Sequence, residues 1–152
     1  MIRFTDSSIY DLIFDIIEHR YFQRLRRIKQ LGLTDLVYPG ALHTRFHHAL
    51  GAMYLMGRAL NALKEKGVDI SPEERQASML AILLHDIGHG PFSHTLEFSL
   101  FKGVHHEQVG LWMMDRLNQE FDSRLELPIY IITNQYHRQF FHQLVKCQLD
   151  ND

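Results

Sequence analysis

An all-α fold is predicted for this chain of 152 residues, and three observations predict it. Apolar residues recur at intervals of three and four in almost every segment. Helix start and stop signals bracket those segments. Val and Ile form no alternating run longer than a few residues, so nothing reads as a strand.

The elements follow in order. "SIYDLIFDIIEH", after the capping candidates Thr5, Asp6 and Ser7, reads as a first helix. "YFQRLRRIKQLG" places Phe22, Leu25, Ile28 and Leu31 three apart before Gly32, which predicts one amphipathic helix with a glycine stop. "GLTDLVYPGALH" contains Pro39-Gly40 and reads as a loop. Thr44 caps a long helix from Arg45 to about Glu65, with Phe46, Leu50, Met53, Leu60 and Leu63 inward. "SPEE" is the clearest start signal. Ser71 is the cap, Pro72 the first helical position, and Glu74 completes a capping box. The helix that follows is apolar on all sides through "MLAILL", which makes it the central, buried helix, and it stops around Gly88–Pro91. A short helix over "FSHTLEFSLF", one from about His105 to Phe121, and a last from about Pro128 to Leu149 complete the chain.

Composition bounds the function. With 45% apolar and 22% charged residues, the chain has an ordinary globular balance rather than a disordered one. The length suits one domain, and no linker or internal repeat interrupts it. No apolar run approaches the ~20 residues of a membrane span, and "MIRFTDSS" carries no signal-peptide pattern. The single Cys147 excludes an intrachain disulfide, fits a reducing cytoplasm, and reads as a small buried hydrophobe rather than a nucleophile. A net charge of -2 gives no global attraction to nucleic acid, which is not expected as the main partner.

Histidine is the unusual residue. Eight of the 11 (His43, His47, His48, His85, His89, His94, His105 and His106) lie within one stretch of the chain. Neutral imidazole is the commonest metal ligand and the usual general acid or base near pH 7, so this clustering points to a site. "LLHDIGHGPFSH" ends the apolar helix with His85 and Asp86 side by side. Neighbours on a helix project ~100° apart, so the two can approach one ion from different directions. Burying them is costly unless they are paired or bind a metal; a mutual hydrogen bond or a helix cap is the plainer reading. His89 shares a face with His85 if the helix persists, and Gly90-Pro91 turns His94 back toward the same region.

Three further stretches carry candidates. In "HTRFHHALG" only one of His47 and His48 can face inward, while Arg45, in a helix's first turn, either meets a phosphate or is simply exposed. In "GVHHEQVG", His106 and Glu107 read as an acid with its orienting partner, or as an ordinary helix start. The run "RYFQRLRRIK" holds Arg20, Arg24, Arg26, Arg27 and Lys29 without an acid. It is a solvated face, a grip for several phosphates or, less favoured, a nucleic-acid groove. HExxH, CxxC, GxxxxGK[ST] and GxSxG are all absent, which leaves metal-assisted hydrolysis.

The order His48, then His85-Asp86, then a distant Asp resembles the H…HD…D signature of the HD-domain metal-dependent phosphohydrolases. "FQRLRRIKQLGLTDLVYPGALHTRFHHALG", "LLHDIGHGPFSHTLE" and "HHEQ", in that order, are similar to the deoxynucleoside triphosphate triphosphohydrolase (dGTPase-like) branch, strongly over about residues 20–110. The resemblance implies a helical bundle around a metal site and cleavage of deoxynucleoside triphosphates to deoxynucleoside and tripolyphosphate. Other implied readings are a phosphatase or phosphodiesterase on another nucleotide, and a non-catalytic nucleotide-binding module. It gives His48, His85, Asp86 and Asp152 as metal ligands, Arg45 on the α-phosphate, and Gln30 and Leu31 at the sugar and base, with Asp150 as companion to Asp152. His89 and His94 stand beside the scissile phosphate, with His106 and Glu107 as the acid–base pair. Such a mixed N/O donor set suits Fe, Mn, Zn, Ni or Co, with Mg²⁺ arriving on the nucleotide. The resemblance also favours a homo-oligomer and makes residues 1–152 a single domain cut short at its C-terminal side.

Overall fold

The computed structural model describes residues 7–92, 103 and 105–146, with side chains from residue 11 onward. Among these residues the regular structure is helical, and an isolated antiparallel bridge joins Lys29 to Thr44. The helix expected over "FSHTLEFSLF" and the reading of Cys147 lie outside the described residues, as do His94, Asp150 and Asp152.

Helix α1 (Ser7–Glu18) buries Leu12, Ile13, Ile16 and Ile17, one stripe at helical spacing. His19 then caps α2 (Arg20–Gln23), its Nδ1 accepting from the Tyr21 N–H at 3.2 Å. The single helix expected here does not form. After Gln23 the chain tightens into a 3₁₀ turn, Arg24–Arg27, and Ile28 is extended (φ −113°, ψ 112°). The three-residue spacing of Phe22, Leu25 and Ile28 is compatible with the tighter turn, in which residues three apart share a face. All three are buried, while Leu31, expected on the same stripe, is 49% exposed. Gly32, at φ +59°, lies within the turn that follows and stops no helix, because the helical turns end at Arg27.

The bridge closes the base of the loop over 30–43. Gln30 N–H donates to the His43 carbonyl at 3.0 Å, and Arg45 N–H donates to Ile28 at 2.9 Å. This seats the start of α3 (Arg45–Glu65) directly on the 3₁₀ turn. Phe46, Met53 and Leu60 of α3 are buried, with Leu50 and Leu63 packed at the core's edge.

Helix α4 (Pro72–Leu84) starts as expected. The Glu74 N–H donates to Ser71 Oγ at 3.1 Å, and the Ser71 N–H donates to Glu74 Oε2 at 2.9 Å. It is the central helix. Every residue from Ala77 to Leu84 is buried, against α3, α1 and the two final helices.

Helix α5 (His106–Glu120) agrees with expectation, but the last predicted helix is two: α6 (Glu126–Ile132) and α7 (Phe140–Val145). Thr133 Oγ1 turns back to the Ile129 carbonyl at 2.8 Å, and Asn134 takes a left-handed conformation at φ 59°, which ends α6. The reversal carries Tyr136 and Arg138 to Glu74 at the start of α4, each 2.7 Å from Oε1. Apolar periodicity continues across the break, so pattern alone does not reveal it.

Candidate metal centre

The site forms where the start of α3 meets the end of α4. Within α3, His47 and His48 divide their roles. His47 is exposed, and its Nδ1 accepts from the Thr44 N–H at 3.3 Å, so it caps the helix. His48 therefore takes the inward position. Arg45, one turn earlier, is 4% exposed, which rules out the plain reading of a solvated first-turn arginine.

Helix α4 ends at Leu84 with His85 as its C-cap, so His85 and His89 do not share a helical face. A turn over residues 85–88 brings His89 back instead, its Nε2 3.5 Å from Asp86 Oδ1. Gly88 makes this possible. A Cβ there would lie 2.0 Å from the His106 carbonyl oxygen and 2.3 Å from Gly110 N, so only glycine lets α5 approach so closely. That contact stacks the His106 ring on the His89 ring, with centroids 3.9 Å apart and planes at 15°.

Asp86 is the hub. Its Oδ2 accepts from Arg45 Nη1 at 2.7 Å and lies 4.0 Å from His48 Nε2, while Oδ1 lies 3.3 Å from His85 Nε2. Burial by itself raises the Asp86 pKa. The His89 hydrogen bond and the neighbouring His85, His89 and Arg45 outweigh it and hold the carboxyl well below the usual carboxylate range. His89 moves the other way: burial lowers its pKa, and the attraction of Asp86 only partly offsets this.

One ligand atom each from His48, His85 and Asp86 lie within 4.8 Å of one another. The donor set fits a divalent ion on a further observation. His85 Nδ1 donates to the Ile82 carbonyl at 2.6 Å, which fixes the orientation of the ring and turns Nε2 toward Asp86. Two imidazoles and an ionised carboxylate are the donors a first-row transition metal takes. An open, mostly apolar groove of about 400 Å³ begins at His48 and runs along Gly51, Ala52 and Leu55 of α3.

The remaining expected residues fall into two groups. Gln30 and Leu31 lie on the loop above the bridge; Gln30 Oε1 is buried without a hydrogen-bond partner, and Leu31 is exposed. Glu107 is not oriented toward His106 by a hydrogen bond. Its Oε1 accepts from Lys146 Nζ at 2.7 Å, a bond that lowers its pKa, and its side chain is 62% exposed. The His106 ring stacks on the His89 ring instead.

Residues 45–141 match the HD domain family, a span that includes His48, His85 and Asp86 and most of the chain.

The chain belongs to the HD domain family.

This HD domain is similar to several larger proteins. It is 38% identical over 128 residues to a deoxynucleoside triphosphate triphosphohydrolase SAMHD1 homolog of Dictyostelium discoideum, covering 76% of this chain and 25% of that protein. The mouse deoxynucleoside triphosphate triphosphohydrolase SAMHD1 is 40% identical over 131 residues, covering 81% of this chain and 20% of that protein. The crystal structure of a phosphohydrolase from Bacteroides thetaiotaomicron superposes with a TM-score of 0.86 at 53% identity, over 88% of this chain and 33% of that one. The HD domain described here thus spans a quarter or less of the length of these two curated relatives.

Proposed function

We propose that this HD domain is the metal-binding part of a hydrolase that cleaves deoxynucleoside triphosphates to deoxynucleoside and tripolyphosphate. The observation that carries the reading is the convergence of His48, His85 and Asp86, with His85 Nε2 turned toward Asp86. The names of the Dictyostelium and mouse relatives support the substrate class. A bound divalent ion would lower the pKa of a water and polarise a phosphoryl oxygen.

The chain's own residues supply the rest. Arg45 holds Asp86 ionised and stands beside the site to balance charge developing on the α-phosphate oxygens. His89, neutral near pH 7 through burial, donates its Nε2 proton to Asp86 and keeps that carboxylate aimed at the site. His106 or His94 hands a proton to the departing 5′ oxygen, a role worth ~10²–10⁴-fold in rate. Gln30 and Leu31 face the sugar and base in this reading. Asp152, with Asp150 beside it, completes the ligand set, and Fe, Mn, Zn, Ni and Co all suit it. Residues 1–152 are read as one domain working in the cytoplasm. The exposed Leu33, Leu36, Val37 and Tyr38 on the loop over 30–43 are compatible with a homo-oligomer.

A second reading, a phosphatase or phosphodiesterase acting on another nucleotide, draws on the Bacteroides relative, which is a phosphohydrolase without a named substrate. Products separate the two. In ³¹P NMR with Mn²⁺ and the four deoxynucleoside triphosphates, a tripolyphosphate signal that Asp86→Ala abolishes is expected. Orthophosphate as the first product would replace this reading with the second, and hydrolysis retained in Asp86→Ala would remove the metal site from the mechanism.

A further inference from the structure

We propose that Arg24 is a positioning residue for the metal site: its guanidinium clamps the turn that carries Asp86 and His89. Once α4 ends at Leu84, the carbonyls of the following turn lose their helical partners. Two of them, Ile87 and His89, accept from Arg24. Nη1 donates to the His89 carbonyl at 2.8 Å and Nη2 donates to the Ile87 carbonyl. Nη2 also lies 3.6 Å from Met113 Sδ on α5. The same turn also packs against the α5 backbone at Gly88. The HD turn is therefore held both by a charged fork from the 3₁₀ segment and by its packing on the backbone of α5.

The chemistry favours positioning over bulk packing. Half-burying a guanidinium is costly, and an apolar side chain would fill the same space more cheaply. Arginine's planar fork reaches the two carbonyls on either side of Gly88 at once, which a lysine's single ammonium cannot do. Those carbonyls belong to the residues that follow Asp86, so the fork sets the direction in which Asp86 and His89 leave the turn. Residues that orient metal ligands in this way typically change metal affinity or activity 10–100-fold when altered.

This inference rests on the metal-site reading above, and the test separates the two. Mn²⁺ binding to the full chain is measured by the EPR signal of free Mn²⁺, for wild type, Arg24→Lys and Arg24→Met, with the melting temperature of the metal-free proteins as a control. We expect both variants to melt cooperatively and to bind Mn²⁺ about 10–100-fold more weakly than wild type. A matching fall in kcat with little change in KM is expected wherever turnover is seen. If Arg24→Met melts lower but binds Mn²⁺ as wild type does, Arg24 is merely structural and the proposal fails. Should Arg24→Met not fold, the same comparison for Arg24→Lys decides it. Wild type that binds no Mn²⁺ overturns the metal-site reading itself, and the clamp with it.

Discussion

At the scale of single residues, two glycines that touch each other have opposite tolerances. A Cβ on Gly88 would strike backbone atoms of α5 at 2.0 and 2.3 Å, and backbone cannot swing aside as a side chain can. On Gly110 the added carbon finds its nearest neighbour at 3.6 Å, an ordinary contact. Gly88→Ala should therefore destabilise the protein by about 1–3 kcal/mol and separate His106 from His89. Gly110→Ala lies in a helix interior and should be neutral or stabilising, by up to about 1 kcal/mol. Thermal melts of the two variants check this pair, and equal losses would contradict the close approach at Gly88.

At the scale of elements, the start of α4 is tied to the reversal between α6 and α7 through Glu74. This carboxylate accepts from Ser71 N–H, Tyr136 Oη and both contacts of Arg138 Nη1, and it is 7% exposed. Burial alone would raise its pKa, but these donors and the Arg138 charge reverse the shift and leave it lowered. A lowered folded-state pKa means stability that is present above the ordinary glutamate value of about 4.3 and lost as the pH falls through the folded value. Glu74→Gln should thus cost about 1–3 kcal/mol at pH 7. Its deficit should hold from pH 8 to 5 and shrink below about pH 4. Denaturant titrations across that range test it; a deficit that grows on acidification would mean the carboxylate is not stabilised by the fold.

At the scale of the whole molecule, the candidate ligand atoms come from two segments remote in sequence. His48 sits in the first turn of α3, while His85 caps the end of α4 and Asp86 lies in the turn that follows. An ion held by all three would staple these helices together and stabilise only the folded state. At a free concentration near a hundred times Kd, the gain is about 2.7 kcal/mol, or roughly 5–10 °C in melting temperature for a chain of this size. Mn²⁺ should raise the melting temperature by that order, EDTA should reverse the rise, and His48→Ala should largely remove it. A rise that persists in His48→Ala would place the ion elsewhere.

Local chemistry was enough to read much of this protein from its residues. The capping box at Ser71, the extent of α3 and the buried run of α4 each follow from neighbours a few positions apart, and the His85-Asp86 pair pointed to the candidate site. Local patterns could not distinguish an α-helix from a 3₁₀ turn at Arg24–Arg27, because a three-residue spacing serves both. Nor could they find the break between α6 and α7, whose reversal is stabilised by Glu74 some sixty residues earlier. The choice of His48 over His47, the pairing of Arg45 with Asp86, the turn of Glu107 to Lys146 and the grip of Arg24 on the HD turn all depend on partners distant in the chain. Sequence spacing sets which side chains one helix presents together. Which groups meet across helices is decided only when the elements pack, because burial then demands that each charge and each orphaned carbonyl find a partner.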